Sequence, residues 1–134
     1  MTEHLKAMLD SQPHHPSALE VIRRCVAACL DCVAACTTCA DACLAEPKVA
    51  DLVYCIRLDL DCADICGTTG RIVGRLTKPN KATMAGVLQA CIAACEACAT
   101  ECERHAGMHA HCRICAEACR DCAKACQALL DVMP

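Results

Sequence analysis

The chain has 134 residues, one ordinary domain's worth, with 18 Cys, no Phe, no Trp and one Tyr. That excludes an aromatic-packed core and a base-stacking platform, and the formal net charge of −3 speaks against a phosphate-binding surface, so no nucleic-acid partner is expected. No apolar run approaches the roughly 20 residues of a membrane span, so no membrane partner is expected.

From the N-terminus, residues 2–10 predict one short helix and 11–16 a linker. Residues 1–16 are therefore set apart as an N-terminal segment, and 17–134 as the main body. The opening Met-Thr-Glu-His-Leu-Lys lacks a basic stretch followed by an apolar one, so no secretory signal is read there. The pair Arg23-Arg24 precedes a cysteine-rich helix, not a cleavable leader. The expected location is cytoplasmic, where thiols are kept reduced. A cysteine content this high without a signal favours metal binding over a disulfide scaffold.

Three punctuation points divide the rest: Glu46-Pro47, Thr77-Lys78-Pro79-Asn80 and His105-Ala106-Gly107-Met108. Between them lie four segments of roughly 25–30 residues, each about 40 Å long as a helix. The first opens Pro16-Ser17-Ala18-Leu19-Glu20, with Ser17 placed as N-cap and Glu20 at N3 in a capping box. It carries Cys25, Cys29, Cys32, Cys36, Cys39 and Cys43. Beside them stand Val26, Leu30 and Val33, with only Asp31 and Asp41 charged, so its spare apolar face is expected to meet another subunit. The second segment carries Cys55, Cys62 and Cys66, with Asp59 in the slot between the first two. Asn80 is the expected N-cap of the third, which carries Cys91, Cys95, Cys98 and Cys102 and closes at Gly107 as C′. The fourth carries Cys112, Cys115, Cys119, Cys122 and Cys126, opposite a polar face of Arg113, Glu117, Arg120, Asp121 and Lys124.

The cysteine steps alternate four and three, with seven where one is skipped, which puts every sulfur on one helical stripe. A strand would scatter them over both faces. Four such stripes predict an all-α, up-down-up-down four-helix bundle with a cysteine-lined core.

Four uses of the cysteines compete. A core of small hydrophobes does not need sulfur at nearly every inner position. Disulfides within a helix are disfavoured, because Cβ atoms at i and i+4 stand about 5–6 Å apart and a bridge wants about 3.8 Å. Catalysis would show one or two cysteines with a tuned neighbour, and none is privileged, so no enzyme is expected. Metal is the strongest reading. Cys-x-x-x-Cys pairs recur at 25/29, 32/36, 39/43, 62/66, 91/95, 98/102, 115/119 and 122/126. Each suits a two-coordinate soft cation, and the soft cation that thiolates hold at low coordination number is Cu(I). Charge favours it too. One Cu(I) per thiolate leaves the core neutral, whereas four zinc tetrathiolates would bury a charge of about −8. Private pairs would hold about 9 Cu(I), and full bridging would approach about 18. A zinc or general soft-metal buffer and a thiol redox reservoir remain alternatives.

The cysteine-striped helices, the repeated Ala-x-Cys-x-x-Cys and Cys-x-x-x-Cys motifs and the His-rich turn before the last helix resemble the bacterial copper storage proteins. The likeness is to their cytosolic branch and covers about residues 17–133. The resemblance implies a bundle that assembles as a homo-tetramer, holds many Cu(I) ions through core thiolates, and carries a His/Met cluster at its mouth.

The mouth follows from connectivity. The end with the 2–3 turn gathers Leu19, Ile22, Ile72, Val73, Leu76, Met84, Val87, Leu88, Leu129 and Leu130, and is expected to be a dry plug. The opposite end carries His105, Met108, His109 and His111, with His105 and His109 continuing the stripe of the third helix, and is expected to admit copper. Asp59 is read either as an oxygen ligand or as a solvated defect in the stripe. Met84 and Met133 are assigned to the plug, and His14 and His15 to the linker.

Overall fold

Heptad stripes bury themselves when four helices face one another, and the computed structural model, which describes residues 3–134, does this. The elements are α1 (Glu3–Ser11), α2 (Leu19–Leu44), a 3-10 turn (Val49–Leu52), α3 (Val53–Val73), α4 (Lys81–His105) and α5 (Ala110–Val132). The predicted short first helix is α1. Thr2, which was included in it, lies outside the described residues. Helices α2 to α5 form a square in which each packs on the next and α5 closes on α2. Cys25 near the start of α2 meets Cys126 near the end of α5, and Cys55 near the start of α3 meets Cys102 near the end of α4. Neighbours are thus antiparallel, as in the expected up-down-up-down bundle.

The stripes run past the sulfur. On α3 the inner positions are Cys55, Asp59, Cys62, Cys66, Thr69 and Val73, all buried. On α4 they are Met84, Leu88, Cys91, Cys95, Cys98, Cys102 and His105, also buried. All 18 cysteines are at most 1% exposed. The sulfur column ends on a hydrocarbon layer of Ile22, Val73, Leu76, Met84, Leu88 and Leu129, with Leu19, Leu130 and Met133 packed against it, while the expected members Ile72 and Val87 are only half-buried at its edge. This is the expected plug. Burying such a side chain contributes about 1.5–3 kcal/mol, so this end holds the helices together without metal. Thr69 sits in the layer with its hydroxyl donating to the Ile65 carbonyl at 2.8 Å, which satisfies its polar atom.

Close approach of α2 and α3 needs Gly70: a methyl there would stand 3.2 Å from Cys29 Cβ. α1 lies beside the first turns of α2. Leu9 is buried, and Asp10 pairs with Arg23 at 2.7 Å. The expected spare face of α2 needs correction: Val26 is buried and Val33 packs against the core, while Leu30 stays 42% exposed and lines an open groove with Ala27, Ala28, Ala34 and Leu5.

Several local expectations need correction. The Ser17 capping box is absent. α2 starts at Leu19 with Ala18 at the N-cap position and no side-chain cap. The Glu20 carboxylate goes instead to Arg23 at 2.7 Å and Arg24 at 3.2 Å. Asn80 caps as expected, its Oδ1 accepting from the Thr83 amide at 2.9 Å. Gly107 follows the C-cap residue Ala106, but no glycine among the described residues takes a positive φ. The α4 terminus closes instead through the Met108 and His109 amides, which both donate to the His105 carbonyl. α4 therefore stops at His105, and His109 becomes the N-cap residue of α5 rather than the next step of the α4 stripe. The membrane reading also changes. By length and composition, Leu19–Leu44 and Lys81–His105 each reach a mean hydropathy of 1.5, enough for a span. Cys and Ala raise that index, and here the cysteine stripes of both helices face the bundle core.

Candidate metal centre

All 18 thiols are free. The shortest sulfur–sulfur approaches, Cys55–Cys102 and Cys66–Cys91, are 3.5 Å, far beyond the ~2.05 Å of a disulfide. Such spacing suits sulfurs that share a small cation.

The private i, i+4 pairing expected from the spacing is not what the helices produce. The pairs 32/36 and 62/66 do meet at 3.7 Å, and 98/102 at 3.9 Å. Contacts between helices are as short or shorter: Cys36–Cys119 at 3.6 Å, Cys66–Cys95 at 3.6 Å, and Cys32–Cys119 and Cys36–Cys115 at 3.7 Å. The antiparallel register brings sulfurs of neighbouring helices level, which no single-helix spacing can show.

The result is a chain of four-membered sulfur cages whose donor atoms lie within 4.8 Å of one another. From the plug upward they include Cys29/Cys91/Cys122/Cys126, Cys32/Cys66/Cys95/Cys122, Cys32/Cys36/Cys62/Cys119 and Cys36/Cys98/Cys115/Cys119. Consecutive cages share members: Cys122, then Cys32, then Cys36 and Cys119. A shared thiolate is a bridging thiolate, so the column is continuous and not a set of separate sites.

Asp59 is neither solvated nor at the edge. It is fully buried, and its Oδ1 accepts from Cys98 at 3.1 Å, Cys115 at 3.2 Å and Cys102 at 3.6 Å, while Oδ2 has no partner. Burial first, and then the charge of neighbouring Cys115, pushes its carboxyl up to about 8. The solvated-defect reading fails. The oxygen stands among three sulfurs.

The other end of the column is built differently. His111 directs Nδ1 at Cys39 Sγ at 3.4 Å, Cys112 at 3.6 Å and Cys43 at 4.0 Å, forming a cage of one nitrogen and three sulfurs. Its Nε2 meets Glu46 Oε2 at 2.9 Å, and the same oxygen takes His109 Nδ1 at 2.7 Å. The two rings stack with centroids 5.3 Å apart. The His111 hydrogen bond holds the Glu46 carboxyl below its usual range. Burial pushes the Cys43 thiol up to about 11 and also raises Cys112.

The four predicted mouth residues therefore divide. His111 faces sulfur. His109 is tied to it through Glu46. His105 is buried, with Nε2 on Glu101 Oε2 at 3.0 Å. Met108 is 73% exposed and turned to solvent, because the residues around it form a tight turn with no helical face of its own. Glu46 and Glu101 were missed. Glu46 had a signal: it stands three residues after Cys43, on the continuing heptad step.

A family model described as copper storage protein matches residues 18–131. Among solved structures, the copper storage protein Ccsp of Streptomyces lividans loaded with 10 copper equivalents is 50% identical, with a TM-score of 0.92, covering 96% of this chain and 99% of that one. A second structure, of copper loading to a cytosolic copper storage protein from Streptomyces lividans with five coppers, is 56% identical with a TM-score of 0.84, covering 86% and 96%. The Cu(I)-bound copper storage protein BsCsp3 is 40% identical with a TM-score of 0.69, covering 78% and 92%. The cysteine-rich protein YhjQ of Bacillus subtilis (strain 168) is 40% identical over 94 residues, 70% of this chain and 82% of that protein.

Proposed function

This chain belongs to the copper storage protein family, and from that premise we propose that its sulfur column is a cytosolic store holding many Cu(I) ions per chain. The observation that carries the reading is the sharing of Cys32, Cys36, Cys119 and Cys122 between cages. Bridging thiolates let copper approach one ion per sulfur, so the buried column stays neutral as it fills. Zinc takes four thiolates around each ion, and even with shared members a zinc-filled column would keep a net negative charge in the core.

The residues we assign as ligands are the 18 cysteines, with His111 completing the cage at the mouth and Asp59 Oδ1 supplying one oxygen among Cys98, Cys102 and Cys115. Copper arrives at the His109/His111 end, and the hydrocarbon layer closes the other. Inside, an ion moves by ligand exchange between sulfurs 3.5–4.0 Å apart, never leaving thiolate. Each binding event displaces thiol protons, so retention weakens as pH falls. The role is retention by mass action with no catalytic step. The open groove beside α2, with exposed Leu30, supports a second copy packing there in a homo-oligomer.

X-ray absorption at the copper edge of anaerobically loaded protein tests the ligand assignment. A first shell dominated by sulfur with short copper–copper vectors is expected. A shell of nitrogen and oxygen would contradict it.

A further inference from the structure

Glu46 is used by no step described so far, yet it holds two imidazoles at once. A carboxylate has no proton to give at neutral pH, so any nitrogen in hydrogen-bond contact with it must carry the hydrogen. Oε2 faces His111 Nε2 at 2.9 Å and His109 Nδ1 at 2.7 Å. His111 is thereby fixed as the Nε2–H tautomer, and its Nδ1 keeps a free lone pair. That lone pair is the one 3.4 Å from Cys39 Sγ and 3.6 Å from Cys112 Sγ. His109 is fixed as the opposite tautomer, leaving its Nε2 unprotonated. With both rings stacked 5.3 Å apart, one oxygen sets the orientation of each.

We propose that Glu46 is the positioning residue of the copper mouth: its Oε2 selects the His111 tautomer that turns a lone pair onto the Cys39/Cys43/Cys112 sulfurs, and the opposite tautomer of His109. Without it, the isolated ring is free to place N–H against the sulfurs, and a protonated nitrogen binds no metal. A carboxylate behind a ligating imidazole fixes ring and tautomer and also raises the basicity of the ligand. Glu46 is suited to this because it follows α2 by two residues, within reach of the α5 N-terminus where both histidines sit. The proposal rests on the storage reading only for its copper arm, because the tautomers exist in the metal-free protein.

The test uses the full chain, reduced, with histidines labelled with nitrogen-15. Long-range nitrogen–proton correlation at a pH where imidazole is neutral reads each tautomer directly. The expected result is His111 protonated at Nε2 and His109 at Nδ1. In Glu46→Ala both are expected to become mixtures, and Cu(I) at the mouth to bind about 10- to 100-fold more weakly. Glu46→Gln, whose amide oxygen still accepts, is expected to keep the wild-type tautomers. Adding Glu46→Ala to the His109→Ala/His111→Ala double variant is expected to change copper arrival no further, since Glu46 acts through those two rings. His111 protonated at Nδ1 in the wild type, or tautomers and mouth affinity unchanged in Glu46→Ala, would overturn the proposal. Wild-type protein that retains no Cu(I) while showing the expected tautomers would overturn the storage reading and leave the tautomer assignment standing.

Discussion

Cys98 donates its thiol proton to Asp59 Oδ1 across 3.1 Å, at the centre of a column otherwise made of sulfur. Among the described residues this is the one carboxylate on the inner stripe, and it is fully buried. Its pKa of about 8 against an ordinary 3.8 means that the folded protein keeps a proton the unfolded chain has released between those values. The stability this group allows is therefore fully present below the ordinary value and is lost as pH rises toward about 8. The expected slope is at most about 1.4 kcal/mol per pH unit. Asp59→Asn keeps an oxygen without the charge and is expected to flatten it in the reduced apo protein. Urea unfolding at several pH values checks this, and equal slopes in the two proteins would contradict it.

Shared cages make cysteines unequal. Cys36 belongs to two four-sulfur cages, whereas Cys43 sits beside the mouth imidazole. Cys36→Ala is expected to lower copper capacity by more than one ion, and Cys43→Ala by roughly one or fewer. Metal-to-protein ratios after gel filtration measure both. Equal losses would mean isolated sites.

α1 is a latch and not a wall of the column. Leu9 and the Asp10–Arg23 pair hold it, and every cysteine lies outside it. Leu9→Ala is expected to detach it at a cost of about 2–3 kcal/mol, the low end for a buried leucine. Capacity should be unchanged. A Tm shift with full copper loading supports this; lost loading would place α1 in the store.

The hydrocarbon layer predicts that metal is not needed for folding. Val73, Leu88 and Leu129 are almost wholly buried without it. Far-UV circular dichroism of the reduced apo protein is expected to show the full helical content, and coil would refute the claim.

The heptad cysteines made the bundle legible, because one-helix periodicity is a property of sequence alone. So did the two ends: the aliphatics near Leu76 and Leu88 and the histidines near His111 lie on opposite sides of the connectivity. What stayed hidden depends on register between helices. Cys32 and Cys36 look like a private pair on one helix, yet each is equally close to Cys119 across the bundle. Glu46 lies on the continuing heptad step after Cys43, but the Glu46-Pro47 pair reads as a break between segments and hides it. Met108 was grouped with the histidines by proximity in the chain, but the tight turn faces it outward. Ser17 met the pattern of a cap, and Arg23 and Arg24 drew Glu20 away from it.

The most direct test of the central claim is an anaerobic titration of the reduced protein with Cu(I) against a strong chromogenic chelator, with thiols counted on the same sample. Retention of well above about 9 Cu(I) per chain is expected, because bridged cages exceed what private pairs can hold. Retention of only one or a few ions at the His111 end would contradict the account and leave the sulfur column without a storage role.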